Sequence, residues 1–374
     1  MALEKEIKYS YNDISIVPAK ISSIQHRSEC NTLYEDNMLP LFTAPMTSVV
    51  DENNFQTFED NKIHSILPRT CDLDTRIKFA TEGKWSAFGL NEFEDIFIKN
   101  DVQSSNLKVL IDVANGHMSK IFDLVKQFKE KYQNIENKIM VGNIANPITY
   151  LDYAKVGADY IRCSIGTGSV CLTTSNTSVH YPMASLIDEI KRYKQMVSES
   201  HDKCFKSIPN IIADGGVRNY SDVIKALALG ADYVMIGGAF AKMYESASIP
   251  FFICDGKKYS LKEFKNIVKS DENKWDVLNS EGNEVLYHNI VIQKENFGMA
   301  SKEAQELMHG KKIHTSEGLS KTIIVEYTMK QWVDNFNDYL KSAMSYTNAK
   351  NLNTFKNCTR TIVVSNNTYQ SVNK

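Results

Sequence analysis

Short apolar runs alternating with amphipathic segments constrain this chain more than any other feature. Eight runs, Leu39–Met46, Ile63–Leu67, Ser86–Leu90, Lys108–Ala114, Lys138–Ile144, Tyr160–Ile165, Asn210–Ala213 and Tyr233–Ile236, are almost continuously apolar. That is the pattern of parallel strands buried on both faces. Helical periodicity lies between them. Met118–Tyr132 carries Ile121, Leu124, Val125 and Phe128 on one face, and Met183–Met196 and Tyr220–Leu229 show similar stripes. One step is repeated: Tyr153-Ala154-Lys155-Val156-Gly157-Ala158-Asp159-Tyr160-Ile161 resembles Ala226-Leu227-Ala228-Leu229-Gly230-Ala231-Asp232-Tyr233-Val234. Each copy reads as a helix end, a glycine stop and the entry to a strand. Eight strands with interposed helices predict an α/β chain folded as a (β/α)8 TIM barrel. The alternative is a doubly wound open sheet, which wants a Gly-x-Gly-x-x-Gly turn after an early strand, and none is present.

Bulk properties exclude several classes. A chain of 374 residues holds one large domain or two smaller ones, and a net charge of −2 argues against a general nucleic-acid binder. No apolar run approaches the roughly 20 residues that span a bilayer. The start, Met1-Ala2-Leu3-Glu4-Lys5-Glu6, has no signal-peptide core. Seven scattered cysteines without a Cys-x-x-Cys pair predict reduced thiols in a cytoplasm rather than disulfides or a zinc site.

In a barrel, chemistry sits at the C-terminal ends of the strands, and the polar clusters of this chain fall there. Asp112-Val113-Ala114-Asn115-Gly116 ends the fourth run and Gly142-Asn143 the fifth; Asp214-Gly215-Gly216 ends the seventh and Gly237-Gly238 the eighth. After the sixth comes Ser164-Ile165-Gly166-Thr167-Gly168-Ser169-Val170-Cys171-Leu172-Thr173-Thr174. Its glycines allow a tight bend, and Cys171 at the rim is placed for nucleophilic attack with Thr173 as a proton carrier. The same loop also reads as a small buried cysteine in an ordinary turn. The two glycine pairs read either as a phosphate cradle or as two tight turns. Asp214 is either an acceptor for ribose hydroxyls or a helix N-cap. Glu317, in His314-Thr315-Ser316-Glu317-Gly318, either folds over the mouth or is solvated surface, and His117, His180 and the other histidines show no metal spacing.

The rest of the chain reads as an elaboration of one catalytic domain spanning 1–374. The segment 251–296 predicts a small exposed β excursion, with hairpin turns at Asp255-Gly256-Lys257-Lys258 and Ser280-Glu281-Gly282-Asn283. Segment 297–328 reads as an active-site loop. Segment 329–374 reads as a closing helix, roughly Lys330–Met344, and a frayed polar tail from Ser365 to Lys374.

The cysteine loop, Asp214-Gly215-Gly216, Gly237-Gly238, Gly298-Met299-Ala300-Ser301 and Ser316-Glu317-Gly318 occur in an order that resembles the IMP dehydrogenase / GMP reductase family, from Tyr11-Asn12-Asp13-Ile14 to about Thr368. Gly-Ser-Val-Cys-x-Thr followed by Tyr181-Pro182 is the most specific part, and Leu110-Ile111-Asp112-Val113-Ala114-Asn115-Gly116 looks closer to GMP reductases. Only about 40 residues separate Leu67 from Lys108, so the regulatory insertion usual in dehydrogenases is missing, and no Arg-Tyr pair lies between Ser301 and Ser316.

The resemblance implies NADPH-dependent reductive deamination of GMP to IMP and ammonia. Cys171 would be the nucleophile, with Glu317 and Thr173 relaying a proton. Ser169, Gly216, Gly237 and Gly238 would hold the phosphate, Asp214 the ribose, and Met299 and Gly318 the base. Asp112 would meet the nicotinamide, and Ser342 and Tyr346 the cofactor across a subunit interface of a homotetramer. Carbonyls of Gly166, Gly168 and Cys171 would bind K+. Alternatives are an IMP dehydrogenase using NAD, a purine-binding pseudoenzyme and a flavin-dependent barrel. The chain departs from the family pattern at Thr167 (usually Pro), Leu172 (Thr), Ser175-Asn176-Thr177 (basic residues), His180 (Gly), Ala300 (Ser), His314 (Arg) and Leu319 (Lys), which puts strict GMP specificity in question.

Overall fold

In a computed structural model the described residues are 5–168, 170–254, 256–260, 262–263, 268–271, 274–278, 284–286, 291–310 and 318–372. Strand β1 (Ile14–Val17) lies outside the main sheet. The main sheet comprises β2 (Leu41–Thr43), β3 (Ile66–Leu67), β4 (Trp85–Phe88), β5 (Lys108–Asp112), β6 (Lys138–Ile144), β7 (Tyr160–Cys163), β8 (Asn210–Asp214) and β9 (Tyr233–Ile236). All neighbours are parallel, in the order β2-β9-β8-β7-β6-β5-β4-β3. A parallel bridge between Phe42 and His64 joins the two ends; the Thr43 N–H donates to the His64 carbonyl at 2.9 Å and the His64 N–H to the Leu41 carbonyl at 3.1 Å. The sheet therefore closes on itself as a (β/α)8 barrel.

All eight runs read as strands are barrel strands, but several are shorter than expected. Leu39–Met46 contracts to β2 between Pro40 and Pro45, which have no N–H to give to a ladder. Helices Ser119–Lys131, Met183–Glu199 and Tyr220–Leu229 cover the outside, as their stripes require. The repeated αβ step is present in both copies. Helices Thr149–Val156 and Tyr220–Leu229 end on Gly157 (φ +91°) and Gly230 (φ +115°), left-handed positions that favour glycine.

Alternation along each strand divides the core in two. Outward residues such as Val109, Ile111, Ile161, Ile211 and Val234 pack under the helices. Inward residues Phe42, Trp85, Leu110, Met140, Ile212, Tyr233 and Met235 fill the barrel, with Tyr160 against them. Trp85 and Tyr160 meet edge to face at 5.1 Å, as do Phe42 and Tyr233. By the same alternation, the inward positions above this plug on β5, β7 and β8 are Asp112, Arg162 and Asp214. The apolar interior thus ends in a charged floor at the strands' C-terminal end.

The excursion forms two antiparallel sheets. One has the order β11 (Lys257–Ser260), β10 (Phe251–Cys254), β15 (Val291–Phe297), β16 (Ser320–Ile324); the other joins β12 (Val268–Asp271), β13 (Lys274–Leu278) and β14 (Glu284–Leu286). The first expected hairpin joins β10 and β11, with Asp255 itself outside the described residues; the second turn also lies outside them. Lys294 of β15 is 1% exposed, and its ammonium donates to the carbonyls of Tyr244 (2.7 Å) and Ser246 (2.8 Å), which pins this sheet to the loop after β9. Two expectations need correction. Segment 297–328 is not all loop: it contains the helix Lys302–His309 and β16, because β15 offers an edge that β16 completes. The tail is not frayed over its described length. β17 (Arg360–Val363) pairs with β1, the Val364 N–H donates to the Asp13 carbonyl at 2.8 Å, and a helix runs over Asn366–Val372.

At the opposite end of the barrel, Asp232 is 6% exposed and accepts from Lys194 (2.5 Å), Lys356 (2.8 Å) and the Ile211 N–H (2.7 Å). Burial disfavours its charge, but the two ammonium groups outweigh this and hold its carboxyl below its ordinary range. Removing one partner of such a group strands the others, so Asp232→Ala should lower the unfolding free energy by about 3–5 kcal/mol. Because the folded pKa is depressed, this stabilisation is present above the ordinary aspartate value of about 3.9 and is lost as pH falls through the lower folded value. Urea unfolding at pH 7 and at pH 3 should show the gap between wild type and variant closing at low pH; a constant gap would contradict the assignment.

Candidate active site

Arg162 is the centre of the charged floor. It is 7% exposed, and its guanidinium donates to Asp112 Oδ1 at 2.5 Å and to Asp214 Oδ2 through Nε at 3.1 Å and Nη2 at 2.9 Å. Asn143, next along from β6's Gly142, donates its amide to the same Asp214 oxygen at 2.7 Å. Burial opposes the charge of Arg162, but the two carboxylates overcome that and raise its pKa further. Asp214 is thus held by side chains at the strand end; the following helix is capped by Asn219 instead. Sequence reasoning passed over Arg162 because it sits inside an apolar run. The available signal was parity: it is the one charged residue at an inward position of Tyr160–Cys163.

The loop after β7 is folded by its own backbone. Gly166 has φ +73°, and a Cβ there would lie 1.9 Å from Thr174 Oγ1; instead the Thr174 hydroxyl donates to the Gly166 carbonyl at 3.0 Å. The Cys171 N–H donates to the Gly168 carbonyl at 3.0 Å. Thr167 replaces a rigid residue with a hydroxyl that bonds Ser164 Oγ at 2.5 Å. Cys171 is partly exposed, and its Sγ lies 3.3 Å from the Thr173 hydroxyl.

A second segment closes against this loop. Cys171 and Gly318 form an antiparallel bridge, the Leu319 N–H donates to the Val170 carbonyl at 2.8 Å, and the Gly298 N–H donates to the Leu319 carbonyl at 3.2 Å. A Cβ on Gly318 would stand 2.6 Å from the Ser301 nitrogen, so this approach needs glycine.

Two adjoining cavities open at this face. One, of about 320 Å³, brings together Cys171, Thr173, Met299, Gly318, Asp112 and Asp214, with the Gly166 and Gly168 backbone at its edge. The other, of about 410 Å³, is lined by Gly216, Gly237 and Gly238. They share Thr167, Gly168, Asp214 and Gly215 as a common wall. The combined cleft runs from a sulfur and hydroxyl at one end to glycine backbone at the other. Gly215 and Gly216 have φ +105° and +72°, and a Cβ on Gly237 would meet Met46 Sδ at 2.8 Å.

Most of the residues expected to form a site therefore meet in one cleft. Ser342 and Tyr346 do not: they lie on the helix Met329–Tyr346, line neither cavity, and Tyr346 is 68% exposed. Ser169, His314 and Glu317 lie outside the described residues. His117 has a structural role. Its ring bridges the Thr149 hydroxyl and the Ala145 N–H, and burial lowers its pKa. Among the described residues no group of three or more His, Cys, Asp or Glu side chains could hold a metal ion. Among the described residues the Gly166 and Gly168 carbonyls each accept one internal hydrogen bond, leaving a second lone pair of the kind that suits a monovalent cation. No described helix is long and apolar enough to cross a membrane.

The sequence profile of the IMP dehydrogenase / GMP reductase domain matches residues 97–269. A GMP reductase of Staphylococcus epidermidis is 30% identical over 267 residues, covering 67% of this chain and 76% of the relative. A GMP reductase of Bacillus subtilis is 27% identical over 376 residues, covering 95% of this chain and 96% of the relative. An inosine-5'-monophosphate dehydrogenase of Borreliella burgdorferi is 39% identical over 151 residues, covering 40% and 34%.

Replacing Arg162 by Gln would leave Asp112 and Asp214 facing each other without a cation. The expected cost is about 3–5 kcal/mol of unfolding free energy at pH 7. Urea denaturation checks this; a deficit below about 1 kcal/mol would show that the buried ion cluster is not what holds the floor.

Proposed function

The chain belongs to the IMP dehydrogenase / GMP reductase family, and on that premise we propose that it reduces GMP to IMP and ammonia with NADPH, through a covalent bond between Cys171 and purine C2. The observation that carries most weight is the cleft: a thiol beside a hydroxyl at one end and glycine backbone at the other, spanned by one continuous wall. A purine nucleotide bound with its phosphate at Gly216, Gly237, Gly238 and Ser169 puts its ribose against Asp214 and its base against Met299 and Gly318. The similarity to GMP reductases along 95% of the chain favours reduction over oxidation of IMP.

The chemistry then follows from the side chains. An ordinary thiol is mostly protonated at neutral pH, so attack at C2 requires an acceptor at the sulfur, and the Thr173 hydroxyl lies 3.3 Å away. The exocyclic amino group cannot leave as an amide ion. Thr173 and Glu317 deliver the proton with which it departs as ammonia, a contribution worth roughly 10²–10⁴-fold in rate. Cys171 then stays bonded to C2 and holds the purine in place. A reduced nicotinamide, when bound, supplies the hydride that replaces the amino group at C2. The C–S bond then breaks and its electron pair returns to Cys171. Arg69, Asp112, Val113 and Ala114 line the same cavity as Cys171, and this apolar and polar wall is where a nicotinamide ring would sit. Ser342 and Tyr346 would meet the rest of the dinucleotide from a neighbouring copy in a homotetramer. K+ at the carbonyls of Gly166, Gly168 and Cys171 would hold the loop in its attacking shape. A cytoplasmic enzyme of purine interconversion fits this reading.

The direct test is loss of nicotinamide absorbance with release of ammonia from GMP and NADPH, set against NADH formation from IMP and NAD. Turnover only in the second assay would overturn the reading. Cys171→Ser should abolish turnover, and Thr173→Ala and Glu317→Gln should slow ammonia release by roughly 10²–10⁴-fold in proteins with unchanged thermal transitions. Wild-type rates in either of the latter would remove that residue from the proton path. Replacing K+ by Li+ should lower the rate while leaving the circular dichroism spectrum unchanged; equal rates in the two salts would remove the cation from the scheme.

A further inference from the structure

The glycine end of the cleft holds two side chains that the scheme above does not use. His180 lines the same cavity as Gly216, Gly237 and Gly238, is exposed, and has no hydrogen-bond partner for its ring among the described residues. Its position is one where the family pattern usually has glycine, so the imidazole departs from that pattern. Tyr11 lies against Gly216, with its ring 3.4 Å from where a Cβ would stand. It is 2% exposed, and its buried hydroxyl has no partner among the described residues, which leaves a donor beside the glycine turn. The third element is the helix Met183–Glu199. It opens on Pro182 with no side-chain cap and presents Met183 to the cavity, so its first turn borders the same space, with the Ser185 N–H taken by the Tyr9 carbonyl at 3.0 Å.

We infer that His180 is a phosphate-binding residue that tightens the grip on the substrate's dianionic end when its imidazole is protonated. This rests on the reading that the glycine end takes the nucleotide phosphate, and adds a pH-dependent affinity to it. The other charged groups facing this cavity are already committed. Arg218 is paired with Asp222 at 3.1 Å and with Asn12, and Asp214 is held by Arg162 and Asn143. Next along the chain, Tyr181 donates to Glu189 at 2.7 Å, and Lys8 pairs with the same carboxylate at 2.9 Å. Tyr11 is pushed far above its ordinary value by burial. His180 is therefore the side chain of this cavity that can donate to a phosphate and has no partner among the described residues. A dianion beside an imidazole favours the protonated ring, so affinity rises as pH falls.

The test uses the full chain with histidine Cε1 labelled, the His180 signal being assigned by its disappearance in His180→Gln. Inorganic phosphate and GMP should each raise the His180 pKa by roughly one unit, which is about tenfold tighter binding to the protonated form. Correspondingly, the gain in GMP affinity between pH 8.5 and pH 6.0 should be about tenfold smaller in His180→Gln than in wild type. Ionisation of the free ligand is common to both proteins and cancels. If neither ligand moves the His180 pKa, the inference is wrong. If phosphate moves it but GMP is not reduced, the inference stands and the purine reading falls. If GMP is reduced while the pKa stays put, the reading stands and the inference falls.

Discussion

Everything at the open face of this barrel rests on one buried cation shared by two carboxylates. The inward rows of a closed parallel barrel must be filled. Here aromatic and aliphatic side chains fill the lower part, and Arg162 with Asp112 and Asp214 completes it. A guanidinium suits this place because its planar fork donates in two directions at once. A lone carboxylate at the end of β5 or β8 would pay for its desolvation. Paired through Arg162, both sit at the base of the cleft, one facing the end with the thiol and the other forming the wall between the two cavities. The floor is then rigid, and the loops that carry Cys171 and the glycine turns are built upon it.

Those loops obey a second constraint, close approach of backbone to backbone. Gly318 against the Ser301 nitrogen and Gly166 against the Thr174 nitrogen each leave no room for a Cβ. The result brings residues from 166–174, 298–301 and 318–319, which are remote in sequence, around one sulfur atom. The antiparallel bridge between Cys171 and Gly318 also explains why a strand, β16, grows from a segment whose composition reads as loop. Once Gly318 is fixed against Cys171, Ser320–Ile324 is delivered alongside the free edge of β15.

The strands were legible because parallel strands covered on both faces must be apolar throughout, and the glycine stops marked where each helix returned. The clustering of polar and glycine residues at strand ends made the cleft legible for the same reason: a barrel has one open face for chemistry. What escaped was whatever depends on distant partners. Arg162 reads as a blemish in an apolar run until Asp112 and Asp214 are placed beside it. The tail reads as polar and unstructured. Its order comes from β1, more than 340 residues earlier in the chain, and from Lys225, whose ammonium lies 5.9 Å from the centre of the Tyr369 ring. The unpartnered hydroxyl of Tyr11 has no local signal at all.

The central claim is that the sulfur of Cys171 becomes bonded to the purine while the amino group departs. Intact-mass and peptide mass spectrometry of the protein, acid-quenched after mixing with GMP alone, tests it most directly. The account predicts a mass increment on the peptide containing Cys171 equal to GMP less ammonia, matched by free ammonia of the same amount. Ammonia released in steady turnover with NADPH, and no increment on that peptide under any quench time, would contradict it.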